Sequence, residues 1–219
     1  MALFISEGCY LCTMKRIAVF CGSSAGPNEI YRTQAAALGR YLAEKNMHVV
    51  FGGGKVGLMG ILADAALKAG GKVTGVIPGF LHVKEVAHTR LTELITVDSM
   101  HARKALIEEM ADGAIALPGG FGTLDELFEM LTWGQLGLHD KPVAVLNTLG
   151  FYDPLLTAID RMVEEGFLKD LNRDMLLVSE HIEELVEAML AYRAPTVRKW
   201  IMDGDPENDV PFKAAPRRV

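Results

Sequence analysis

Short apolar runs rich in β-branched residues alternate along this chain with longer stretches in which apolar side chains recur every three or four positions. The short runs predict strands over Ile17–Cys21, Val49–Phe51, Lys72–Ile77, Leu94–Val97, Ala114–Leu117, Val143–Leu146 and Leu176–Val178. The longer stretches predict helices over about Glu29–Lys45, Gly57–Ala69, Ser99–Ala111, Leu124–Leu136, Pro154–Glu165 and Ile182–Tyr192. Parallel strands must be joined by a crossover, usually a helix. This alternation therefore predicts an α/β fold: a doubly wound, Rossmann-like parallel sheet with helices on both faces. In such a sheet ligands gather at the carboxyl ends of the strands. Every apolar run is broken by charge, glycine or proline before it is long enough to cross a bilayer, so no membrane partner is expected.

The length, 219 residues, suits one core. The alternating pattern places a single catalytic domain over 15–193, between an N-terminal tail, 1–14, and a C-terminal tail, 194–219. The latter, APTVRKWIMDGDPENDVPFKAAPRRV, holds four prolines and scattered charge, the composition of a tail. Twenty-eight acidic against 22 basic residues give a net charge of −6, which argues against nucleic acid as a partner, although one phosphate needs only an arginine or two. The opening MALFISEGCYLCTMKR has an acid and no early basic residue, unlike a secretory signal, and three cysteines make no disulfide framework; both predict a cytoplasmic protein. Cys9 and Cys12 form a CxxC without a second pair to complete a zinc site, and Met14-Lys15-Arg16 offers a second start of translation. No metal site is expected.

Three strand ends carry candidate chemistry. The first runs into Cys21-Gly22-Ser23-Ser24, a small polar turn where Gly22 and Ser23 allow close approach of a ligand. The second reads VVFGGGKVGLMG, in which Gly52, Gly54 and Gly57 match GxGxxG between strand and helix. The following strand ends in Pro78-Gly79-Phe80, with no acid for an adenosine ribose, which disfavours a nicotinamide oxidoreductase. Lys55 is followed by Val56 rather than Ser or Thr, which excludes a P-loop. Two readings of this turn stay open: Gly53 and Gly54 admit a ligand to the backbone, or the glycines allow a helix to pack closely.

The third strand end is ALPGGFGTLDELFEM, from Ala116. Gly119, Gly120 and Gly122 remove side chains where the chain turns, so that successive N–H groups and a helix N-terminus converge on one anion, with Thr123 adding a hydroxyl and Glu126 a turn further in. Thr123-Leu124-Asp125-Glu126 is equally a capping box, a purely structural device. Arg103 tilts the balance. It shares a helical stripe with Met100, Ile107 and Met110, must find water or an anion, and lies on the helix leading into the strand that ends at Pro118.

PGGFGTLDE, preceded by MHARK and followed by TWGQLGLHDKPVAVLN, resembles the LONELY GUY family of cytokinin riboside 5′-monophosphate phosphoribohydrolases, and the resemblance runs from about Ile17 to Tyr192 through FCGSS and GGGKVGLMG. It implies hydrolysis of the N-glycosidic bond of AMP or an N6-substituted AMP, releasing free base and ribose 5-phosphate. It also implies that Gly119, Gly120, Gly122 and Thr123 cradle the phosphate, that Arg103 and Glu126 are the catalytic pair, and that Lys104, Glu85 and Thr132 contact the nucleotide. No cofactor is implied, although members have been labelled lysine decarboxylases. A homodimer with the site near its interface is expected. The alternative from another class is a nucleotide-binding or carrier protein that does not cleave its ligand.

Overall fold

Seven strands form one all-parallel sheet in the computed structural model, which describes residues 14–82 and 87–195. In chain order they are β1 (Arg16–Phe20), β2 (His48–Phe51), β3 (Val73–Pro78), β4 (Glu93–Val97), β5 (Gly113–Ala116), β6 (Val143–Leu146) and β7 (Leu176–Ser179). The helices are α1 (Glu29–Glu44), α2 (Gly57–Lys68), α3 (Gly79–His82), α4 (Met100–Met110), α5 (Phe121–Gln135), α6 (Asp153–Glu164), α7 (Asp170–Arg173) and α8 (Ile182–Ala191). Cys9, Cys12, Glu85 and the tail from Thr196 lie outside the described residues.

Strand order across the sheet is β4-β3-β2-β1-β5-β6-β7. The chain winds outward from β1 to one edge, returns through α4 to β5, and winds outward to the other edge. Between β1 and β5 the winding reverses, leaving a crevice at their carboxyl ends that the sheet itself does not fill. Register across this seam pairs Ile17 with Gly113 and Phe20 with Ala116.

The period-two pattern of the strands sorts their side chains between two cores. Ile17, Val19, Val49, Phe51, Ile115, Leu117, Ala144 and Leu146 pack with Leu38, Leu62, Leu185 and Val186 of α1, α2 and α8. Ala18, Phe20, Val50, Ala114, Ala116, Val143 and Val145 pack on the other face with Ile107, Leu127, Met130 and Ile159 of α4, α5 and α6. Near-continuous apolar strands follow from burial on both faces.

The expected strands and the six long helices are all present, with no end displaced by more than three residues. Two short helices, α3 and α7, and a 3₁₀ turn at Thr148–Gly150 are additions, too short to show a period of their own. The larger correction concerns α5. It begins at Phe121 with Gly120 as N-cap and makes no side-chain cap hydrogen bond. Thr123 is therefore already inside the helix, buried, and the capping box does not form.

Candidate active site

A cavity of about 390 Å³ opens at the β1–β5 crevice, lined by Cys21, Gly22 and Ser23 after β1, Gly52 and Gly54 after β2, Arg103 on α4, and Gly120, Phe121, Gly122, Thr123 and Glu126 at the start of α5. The turns that build it are tied to one another. Gly22 donates its N–H to the Pro118 carbonyl at 3.1 Å and accepts from the Leu58 N–H at 3.0 Å, so the β1 turn joins the β5 turn to α2. Beneath Pro118, the buried Tyr152 hydroxyl donates to the Leu117 carbonyl at 2.6 Å, and Asn147 Oδ1 accepts from the Tyr152 N–H at 2.7 Å.

The glycines divide by what surrounds them. A β-carbon at Gly119 would lie 2.1 Å from Thr123 Oγ1 and 2.9 Å from the Gly22 nitrogen, so this glycine allows backbone packing. At Gly120 and Gly122 a β-carbon would meet no atom within 4 Å, although both line the cavity. Their missing side chains leave space for something other than the protein. The Leu124 N–H bonds the Gly120 carbonyl, leaving the N–H groups of Phe121, Gly122 and Thr123 ahead of the first helical bond. Free N–H donors together with a helix dipole are groups that can hold an anion.

In the glycine turn after β2, close helix packing is seen at Gly57, and Gly54 faces the cavity. Gly57, at φ +61°, lets α2 rest on Ser23, whose carbonyl carbon would be 2.3 Å from a β-carbon. Gly54 lines the cavity, whereas Gly53 turns toward Ile77 and Leu94 and gives its carbonyl to the His88 N–H at 2.8 Å.

Arg103 Nη2 lies 3.3 Å from Glu126 Oε1, and both side chains are nearly buried, at 13% and 12% exposure. Arg103 Nε is buried with no hydrogen-bond partner, so the guanidinium retains a donor that its neighbours leave unused. Burial pushes the Glu126 carboxyl up to about 7. Arg103 and Lys104 pull it down, and Asp125 and Glu129 push it up. The carboxyl thus changes charge near neutrality, as expected of a group that handles protons.

Lys104 is also nearly buried and pairs with Asp125 at 3.2 Å and Glu129 at 3.0 Å. Burial alone would lower its pKa; hydrogen bonds and charge from the two carboxylates outweigh this and hold it above the ordinary lysine value. It is not among the residues that line the cavity. Thr132, further along α5, lines a separate cavity of about 130 Å³ with Phe128, Asn172 and Leu176, so a single chain does not bring it to Glu126.

Among the sequence candidates, Gly22, Ser23, Gly54, Arg103, Gly120, Gly122, Thr123 and Glu126 converge on one cavity. Gly119 supports the turn, and Glu85 lies outside the described residues. Sequence reasoning missed the Asp125–Glu129 clamp on Lys104, which the i,i+4 spacing of the two acids signals. It also missed the apolar wall of Val56, Ile77 and Leu81, for which no local pattern exists. Met59 and Met100, each equally suited to a core, both line the cavity. Among the described residues no group of three or more His, Cys, Asp or Glu is placed to hold a metal ion, and no helix is long and apolar enough to cross a membrane.

Residues 59–189 match the family model described as "Possible lysine decarboxylase". The chain is 47% identical over 178 residues to the cytokinin riboside 5′-monophosphate phosphoribohydrolase of Rhodococcoides fascians, covering 81% of this chain and 90% of that protein. It is 46% identical over 179 residues to one from Arabidopsis thaliana, covering 82% and 78%. Among solved structures, the molybdenum cofactor binding protein of Rippkaea orientalis has a TM-score of 0.63 at 23% identity, over 81% of this chain and 96% of that one. The molybdenum cofactor carrier protein of Chlamydomonas reinhardtii has 0.62 at 22%, over 82% and 99%. At those identities the likeness is one of fold. A family model spanning more than half of the chain and relatives matched over four-fifths of it agree with the motifs around Arg103 and Glu126, and the chain belongs to the LONELY GUY family of cytokinin riboside 5′-monophosphate phosphoribohydrolases.

Proposed function

We propose that this protein hydrolyses the N-glycosidic bond of AMP or an N6-substituted AMP to free base and ribose 5-phosphate. The observation that carries this reading is the Arg103–Glu126 pair, 3.3 Å apart, beside an open helix N-terminus in one cavity. The 5′-phosphate sits on the N–H groups of Phe121, Gly122 and Thr123. Arg103, which lines the cavity, holds the phosphate or a ribose hydroxyl, a task for a planar guanidinium rather than an ammonium.

Cleavage places positive charge on the ribose as the bond from C1′ to the base nitrogen breaks and its electron pair leaves with the base. The Glu126 carboxylate stabilises that charge and accepts a proton from the water whose oxygen bonds C1′. The base takes up one proton, which balances the hydrolysis. A carboxylate pushed up to about 7 is basic enough for this transfer and still ionised in good part at neutral pH.

The decarboxylase description of the family model implies pyridoxal phosphate, whose Schiff base requires a lysine in the site. Among the described residues no lysine lines the cavity, and Lys104 is held by Asp125 and Glu129. These residues do not fit that cofactor.

Two further parts of the reading are proposals of the same kind. The protein is a homodimer with the site near the interface, supported by exposed Phe121, Leu136 and Leu138 in and after α5 and by the position of Thr132, which no single chain brings to the cavity. It acts in the cytoplasm, supported by the small, odd number of cysteines. The test is incubation with AMP, isopentenyl-AMP, adenosine and other monophosphates, followed by assay of free base and ribose 5-phosphate. Release of base from a monophosphate supports hydrolysis; binding without release from any of them returns the carrier reading.

A further inference from the structure

The first glycine after β2 is not where the backbone requires one. Gly53 and Gly57 have φ of +74° and +61°, which L side chains rarely adopt, whereas Gly52 is absent from the positive-φ positions of the described residues. What Gly52 lacks is room. A β-carbon there would lie 1.8 Å from Arg103 Nη2, 2.9 Å from Cζ and 3.4 Å from Nε. The Nη2 end of the guanidinium therefore rests against the bare backbone at the end of β2. Its other nitrogen, Nη1, stands 3.8 Å from Met100 Sδ, and Nη2 reaches Glu126.

We infer that Gly52 is a positioning residue for the proposed hydrolysis: its missing side chain is the seat of the Arg103 guanidinium, and the seat holds that group against Glu126 and under the cavity. The inference rests on the hydrolase reading for its catalytic meaning, but the seat itself is a matter of packing. Any β-carbon at position 52 displaces the tip of a flexible side chain and leaves backbone alone. The fold tolerates the change and the Arg103–Glu126 geometry does not. A displacement on the order of 1 Å among reacting or orienting groups is enough to lower turnover by ~10²-fold.

Glu126 reports the displacement directly. The groups that face it are Arg103 and Lys104 from α4, Asp125 and Glu129 from its own helix, and Cys21 from the turn after β1. Arg103 has the larger pull of the two cations, and moving it away leaves burial and the two acids opposed by Lys104 alone, so the titration midpoint rises. An opposite charge at such range is worth about one pH unit or more.

The experiment is Gly52→Ala in the full chain, with Gly79→Ala as control, since a β-carbon at Gly79 meets only Thr96 Cγ2 at an ordinary 3.6 Å. Three quantities are read: melting temperature, kcat for AMP, and the Glu126 midpoint from carboxyl-labelled NMR, identified by its loss in Glu126→Gln. The expected result for Gly52→Ala is a near-parental melting temperature, a kcat lower by 10- to 100-fold, and a midpoint higher by about one pH unit. The control leaves all three in place. In the Arg103→Ala background, Gly52→Ala should change neither kcat nor the midpoint further. Should Gly52→Ala alone fail to fold, a folded Gly52→Ala/Arg103→Ala double variant supports the seat, and an unfolded one overturns it. An unchanged midpoint in folded Gly52→Ala, or equal effects with and without Arg103, also overturns it. If the parent cleaves no monophosphate the hydrolase reading fails, and the midpoint still decides whether the seat exists.

Discussion

Replacing Glu126 by Gln sets stability against turnover at one atom. In the folded chain the carboxyl is pushed up to about 7 from an ordinary 4.5, mainly by burial. At 1.36 kcal/mol per pH unit, holding it ionised in the fold is unfavourable by up to about 3 kcal/mol relative to the neutral form. Below pH 4.5 the carboxyl is neutral in both folded and unfolded chains, and its full contribution to stability is present. Between 4.5 and 7 the unfolded chain ionises first, so stability declines as pH rises, and above 7 the decline is complete. Glutamine is neutral throughout and keeps an oxygen for Arg103. The variant should exceed the parent by about 1–3 kcal/mol at pH 8, roughly 3–9 °C in melting temperature for a domain of this size, and by under about 0.5 kcal/mol at pH 4.5. Its turnover of AMP should fall by roughly 10²- to 10⁴-fold while nucleotide binding persists. Urea melts at the two pH values, with a base-release assay alongside, measure all of this. A parent more stable than the variant at pH 8, or a difference independent of pH, would refute the assignment of a strained, ionised Glu126. Near-parental turnover would remove it from the chemistry.

Four other outcomes follow from the same geometry. The pH profile of kcat/KM should rise with pH through about 7, because the carboxylate is the working form and its proton is lost there; a profile flat from pH 5.5 to 8.5 contradicts this. Gly119→Ala should lower the melting temperature markedly, since its β-carbon meets Thr123 and Gly22. Gly122→Ala, in open space within a helix, should keep or raise it by up to about 1 kcal/mol of stability and weaken nucleotide binding; the opposite ranking would sink the division between packing and cradle glycines. Adenosine should be cleaved on the order of 10⁴-fold less efficiently than AMP, because it leaves the cradle donors unpaired, and comparable rates would dismiss the cradle. Light scattering at working concentrations should give twice the chain mass of 23.9 kDa; a monomer would count against the interface at α5.

The strands and long helices were legible because burial on both faces of a parallel sheet writes itself as short apolar runs between amphipathic ones. Where the reading erred, at α5, the cause is a conflict between propensity and site. Gly120-Phe121-Gly122 looks like a turn because glycine disfavours helix, but Phe121 and Gly122 are helical, and the first turn lines the cavity without a side-chain cap. Moving the helix start back by three residues dissolves the capping box and releases Glu126 to face Arg103. That pair was accessible to sequence reasoning through the α4–β5–α5 connection. The seat on Gly52 was not, since it joins residues on separate strand-end and helix segments whose only relation is a sheet order that periodicity does not encode.

The reversal of winding between β1 and β5 bears on how the molecule reaches its working state. The seam pairs Ile17 with Gly113, and no local contact can stand in for it, because β2, β3, β4 and their helices intervene in the chain. Closing such a loop is slow relative to forming the neighbouring β–α–β units. Cys21, Gly22 and Ser23 belong to one side of the seam and Gly120 to Glu126 to the other, so the cavity has no precursor in either half. During refolding, helical signal should recover well before nucleotide binding does, and a chain caught with its two halves formed but unjoined would look nearly native by circular dichroism while binding nothing.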